Sequence, residues 1–139
     1  MKSFYFIWLS LFVILMISCN KDSSPSNCEK LEGTWKAESW KNDTTELLGI
    51  NMPIINSDLI FKTLADTTGD FEWITNYQIG GMDDVIGGYK VNDACDEVII
   101  TPNGGAASED YNFHFEGNLL IMEGTIFGVD TKLNFSKQE

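Results

Sequence analysis

The chain has 139 residues, of which 21 are acidic and 9 basic, giving a formal charge of -12, and every basic residue is a lysine. Without a basic face it is not expected to neutralise a phosphate backbone, so nucleic acid is set aside as a partner. The absence of arginine also removes the usual bidentate clamp for small carboxylates and phosphates. The length provides one ordinary domain with one core once any processed segment is subtracted. The acidic surface fits solubility or a loose hold on divalent cations.

Residues 4–17 read FYFIWLSLFVILMI, preceded by Met1, Lys2 and Ser3 and followed by Ser18 and Cys19. This is the charged n-region and apolar h-region of a secretory signal. It is too short for a bilayer-spanning helix, which needs ~20 apolar residues. The four positions Met16, Ile17, Ser18 and Cys19 resemble the lipobox of bacterial lipoproteins, with methionine where leucine is commonest. The resemblance implies that residues 1–18 are a removed signal peptide and that Cys19 becomes residue one and carries the lipid, a diacylglyceryl group on its thiol and an acyl chain such as palmitate on its amine. Each buried methylene contributes about 0.8 kcal/mol, and stable attachment takes two or more chains. One lipidated cysteine carries them. Next comes NKDSSPSN, a polar, serine-rich stretch that reads as a flexible tether over 19–30. Asn20-Lys21-Asp22 resembles the lysine-plus-acid sorting signals of some Gram-negative lipoproteins. The implied address is the outer membrane, facing the periplasm or the cell surface.

Setting Cys19 aside leaves Cys28 and Cys95, an even pair in an exported chain, for which a disulfide is the default. Free thiols stay open as the alternative. A metal site on the pair is disfavoured, because the single histidine, His114, has no neighbouring ligand pattern.

From residue 31 onward, short alternating runs are broken by Gly, Asn and Asp, the pattern of a β-meander. Eight strands are predicted: 31–41, 57–63, 71–77, 85–92, 97–102, 110–116, 118–126 and 131–137. The clearest is DYNFHFE, where Tyr111, Phe113 and Phe115 share one face and Asp110, Asn112, His114 and Glu116 the other. Mostly short turns favour antiparallel neighbours. The predicted fold class is all-β, an eight-stranded antiparallel up-and-down barrel, because closing the sheet removes both edges. In such a meander, the start of the first strand and the turn after the fourth lie at the same end. Cys28 and Cys95 therefore meet without threading.

Leu31-Glu32-Gly33-Thr34-Trp35 resembles the glycine-x-tryptophan entry of lipocalin-like domains, such as those behind Gram-negative lipoprotein leaders. The resemblance implies a lipocalin-like barrel over residues 31–139, with Trp35 packed across the closed end. The chain departs from that family in being shorter and in lacking the C-terminal helix and the arginine that stacks on the tryptophan.

One connection is long: residues 42–56, with Leu47, Leu48, Ile50, Met52, Ile54 and Ile55 in a segment otherwise expected to be polar. Loops of this length are usually functional or carry structure of their own. In the lipocalin-like family this loop is the lid over the barrel mouth. The expected function is binding of a small apolar ligand beneath it, with Leu47, Leu48, Ile50, Met52, Phe61, Trp73, Tyr89, Phe113 and Phe115 as the lining. A barrel filled by its own aromatics is the competing reading. A further alternative is a non-enzymatic module that docks a protein partner through the 42–56 loop. No catalytic residues and no cofactor are expected: His114 falls on a polar face, and no hydrolase, zinc-protease, phosphate-loop or dinucleotide motif occurs. Asp83-Asp84 and the Asp93, Asp96, Glu97 group lack the spacing of a calcium loop, so no metal site is assigned.

Overall fold

Alternation becomes strand almost wherever the sequence carries it. The structure, a computed structural model, describes residues 26–126 and 128–139. The leader, Cys19 and the tether as far as residue 25 lie outside the described residues. A short helix α1 (Asn27–Leu31) is followed by β1 (Gly33–Asn42), β2 (Thr45–Glu46), β3 (Ile54–Phe61), β4 (Thr68–Tyr77), β5 (Met82–Val91), β6 (Glu97–Pro102), β7 (Glu109–Glu116), β8 (Leu119–Ile126) and β9 (Val129–Lys137). Neighbouring strands are antiparallel in the order β1-β3-β4-β5-β6-β7-β8-β9, and β9 returns to β1. The predicted eight-stranded closed barrel is the observed fold. The two-residue β2 is an addition, hung on the end of β1 through Lys41–Glu46 and Asn42–Thr45.

The core is the barrel's interior. Leu59, Phe61, Phe71, Tyr111, Leu120, Met122, Leu133 and Phe135 are all essentially inaccessible. Three aromatics each sit directly opposite a glycine across a strand pair: Phe71 opposite Gly87, Tyr89 opposite Gly69, and Tyr111 opposite Gly124. The ring fills the space that the missing side chain leaves, and a Cβ on Gly87 would lie 2.7 Å from the Phe71 ring. Glycines inside strands thus mark close approach and bending in a small barrel. Gly87 belongs to this class, whereas a Cβ at Gly88 would meet only ordinary contact, and Gly80, Gly81, Gly104 and Gly105 occupy turns at positive φ.

One end is plugged. Ser26 and Glu29 form a reciprocal capping box that starts α1, a signal present in the sequence as Ser-x-x-Glu. Residues 27–30, expected in the tether, are therefore helical. Leu31 enters the barrel with no exposed surface, and its carbonyl accepts the Trp35 indole N–H at 2.7 Å. Cys28 is joined to Cys95, with Cα atoms 5.1 Å apart, so the predicted disulfide ties the plug to the turn between β5 and β6. The Lys137 ammonium lies 5.2 Å over the Trp35 ring. A cation from the last strand thus covers the Trp35 ring.

Candidate functional site

The opposite end of the barrel is open, and a register shift in β1 decides what lines it. Trp35 and Ala37 point inward at odd positions, but a bulge between Ala37 and Ser39 inserts one residue, so Trp40 faces Leu133 and also points inward. A bulge re-aims every later side chain on its strand. Simple alternation along β1 places Trp40 on the outside, which is why it was not among the expected lining residues.

With Trp40 turned in, the mouth half of the interior is a cavity of about 370 Å³, with a floor of Phe71 and Ile100, walls of Trp40, Trp73, Thr75, Val85, Pro102 and Ile126, and a rim of Tyr77, Asp83, Ala106 and Glu109. Trp40 and Trp73 lie 5.5 Å apart at 31°. The Trp73 indole N–H donates to Ser57 Oγ at 2.7 Å, and Ser57 Oγ lies 3.0 Å from Thr75 Oγ1. Ser57 and Thr75 are both buried. With its N–H tied to the wall, Trp73 offers the cavity its ring carbons.

The polar groups at the rim are acidic. The Tyr77 hydroxyl donates to Asp83 Oδ2 at 2.9 Å, and the Tyr111 hydroxyl to Glu109 Oε2 at 2.7 Å. Burial pushes the Tyr77 phenol above its ordinary value, and the Asp83 carboxylate adds to the effect. Tyr111 is raised far more, again first by burial and then by Glu109. Both phenols therefore stay protonated and act as donors. No lysine lines this cavity.

The nine expected lining residues are dispersed. Trp73 lines the mouth. Phe61, Tyr89 and Phe113 are buried in the packed core, and Phe115 lies at the plugged end beside Trp35. The reason is depth: these rings sit on inward positions of their strands, but nearer the plug than the mouth. The 42–56 loop curls on itself instead of crossing the opening, through Leu47 N–H to the Trp40 carbonyl, Ile54 N–H to the Leu47 carbonyl and Gly49 N–H to the Ile54 carbonyl. Leu48 packs against the core and Leu47 is half-buried, while Ile50 is 89% and Met52 38% exposed. Glu46 supports this curl by accepting from Ser39 Oγ and from the Trp40 and Leu48 amides. Burial works to raise its pKa, but these hydrogen bonds outweigh it and hold the carboxyl below its ordinary value.

A second depression, of about 530 Å³, lies outside the plugged end between Lys30, Trp35, Phe115 and Lys137. Its aromatic faces are already covered by the chain's own ammoniums, Lys137 over Trp35 and Lys30 at 6.0 Å over Phe115. The mouth is the better candidate. Among the described residues, no group of three or more His, Cys, Asp or Glu is placed to hold a metal ion.

No family model and no curated protein matches the chain. Solved structures similar to it are β-barrels. A redesigned β-barrel superposes with a TM-score of 0.63 at 16% identity, covering 84% of this chain and 99% of its own. A redesigned β-barrel bound to DFHBI gives 0.55 at 13%, covering 82% of this chain and 100% of its own. A mutant of the fluorescent protein UnaG gives 0.51 at 10%, covering 80% and 98%. At such identities the likeness is one of fold.

Proposed function

We propose that the protein is a lipid-anchored lipoprotein of the outer membrane whose lipocalin-like barrel binds a small apolar molecule in its mouth, without catalysis. The observation that carries the binding reading is the cavity of about 370 Å³ lined by Trp40, Trp73, Val85, Ile100 and Ile126. Small-molecule sites are typically ~300–1,000 Å³, mostly apolar, with a few placed polar groups. Two structurally similar barrels lend support, one bound to DFHBI and one designed as a fluorescence-activating barrel. The anchor rests on the leader, which ends at Ser18-Cys19.

Native mass spectrometry of the protein from its own host tests the binding reading, with a lipid-sized adduct on the folded barrel as the expected result. A barrel that is bare and also takes up no 1-aminoanthracene, a neutral fluorescent probe of suitable size, refutes it. For the anchor, Cys19→Ala is expected to abolish palmitate labelling, and persistent labelling refutes that part.

A second reading, docking of a protein partner, draws on the lip beside the mouth. Ile50, Met52, Ile79 and Met82 are exposed there, and the Gln78 amide donates to the Pro53 carbonyl, tying the two loops together. Contiguous exposed apolar surface marks interaction sites. Co-purification with one partner, lost on Ile50→Ser with Ile79→Ser, is its expected signature.

A further inference from the structure

Apolar walls set the body of a ligand, and the groups at the rim set its head. Resting on the mouth as the binding site, we infer that the ligand is a small amphiphile with a cationic head, an amine or quaternary ammonium, and not a carboxylate or phosphate.

Three observations on the same cavity converge. The charged side chains of the rim are Asp83 and Glu109, each of which accepts one phenol through one oxygen. Among the described residues their second oxygens have no hydrogen-bond donor, which leaves acceptor capacity at the opening. None of the seven lysines among the described residues lines the cavity: Lys132 is paired at 2.6 Å with Glu123, Lys62 lies 3.5 Å from Glu72, Lys30 and Lys137 cover rings at the plugged end, and Lys36, Lys41 and Lys90 are exposed outside it. An anionic head entering the mouth would meet two carboxylates and no counter-charge. The third observation is the aromatic wall. Trp40 and Trp73 both line the cavity with ring centroids 5.5 Å apart, and the bond from Trp73 to Ser57 leaves the Trp73 indole without a free donor. Aromatic faces attract cations through the ring quadrupole, most strongly when the cation is desolvated. Carboxylates at the rim and indoles in the wall favour the same charge.

Isothermal titration with three ligands of one chain length separates this inference from the reading beneath it: decyltrimethylammonium, decanol and decanoate, at low ionic strength and pH 7. The expected order is ammonium over alcohol over carboxylate, with steps of about tenfold or more in Kd. High salt is expected to narrow the spread, because the rim charges are exposed to screening. The double variant Asp83→Asn with Glu109→Gln keeps an acceptor for each phenol and is expected to bring the ammonium-to-alcohol ratio close to unity. If decanoate binds as tightly as the ammonium, or the ratio survives in the double variant, the cationic head is overturned while the pocket stands. If none of the three binds, the pocket reading itself fails.

Discussion

Removing the disulfide by Cys28→Ala with Cys95→Ala is a perturbation whose size follows from the connectivity. The bridged residues are 67 apart in sequence. Closing a loop of that length restricts the unfolded chain by an entropy that amounts to about 4 kcal/mol at room temperature. With a urea slope of about 2 kcal/mol/M for a domain of this size, the unfolding midpoint is expected to fall by about 2 M. A small domain has about 5–15 kcal/mol in total, so the variant remains folded in buffer with a reduced margin. Two local contacts keep the plug seated in that state: Leu31 is fully enclosed, and its carbonyl holds the Trp35 indole. Urea titration followed by tryptophan fluorescence, on the oxidised protein and on the double variant, measures the shift. A midpoint that moves by less than about 0.5 M would refute the view that the long loop between the plug and the β5–β6 turn supplies the stabilisation.

Three further outcomes are expected. Gly87→Ala drives a Cβ into the Thr101 carbonyl and to 2.7 Å from the Phe71 ring, and overpacking of this kind costs about 1–3 kcal/mol, to be read as a lowered thermal midpoint. Since the folded-state pKa of Glu46 is depressed, its support of the β1–β2 curl is fully present above the ordinary carboxylate value of 4.5 and is lost as pH falls through the lowered value. Amide exchange at Trp40 and Leu48, corrected for intrinsic rates, should therefore accelerate on acidification, and Glu46→Gln should remove that dependence. Tyr89 is raised to about 12, first by burial and then by Glu32 and Asp70, and its hydroxyl donates to the Lys62 carbonyl at 2.7 Å. Its stabilising effect is present below the ordinary tyrosine value of 10 and is lost as pH rises through about 12. Ultraviolet titration should show one phenol fewer ionising near pH 10 in Tyr89→Phe than in the wild type only after unfolding, not before it; a difference in the folded protein would count against the buried, bonded phenol.

The barrel was legible in the sequence because strand alternation and turn chemistry are local. Tyr111 and Phe113 lie buried on one side of β7, with Asp110, Asn112 and His114 exposed on the other, as alternation demands. Short turns then leave antiparallel neighbours as the simple path, and the same parity brought Cys28 to Cys95. The plug was not legible, because its signal, the Ser26 and Glu29 capping box, is only one helical turn long and falls in a stretch whose composition reads as tether.

Which side chains share the cavity was decided by long-range geometry. Trp40 enters because one extra residue at Glu38 shifts its register against β9, and the hydrogen bonds of the whole β1–β9 ladder hold that shift in place. Phe61, Tyr89 and Phe113 face inward as alternation predicts, but how far each lies along the barrel axis depends on the stagger between strands. Asp83 and Glu109 come to one rim from β5 and β7, which are brought together on either side of β6 by their common pairing with it. Period two specifies the face a residue occupies. Its depth in the barrel, and its neighbours there, come from bulges and stagger, which are properties of paired strands and of no single stretch of chain.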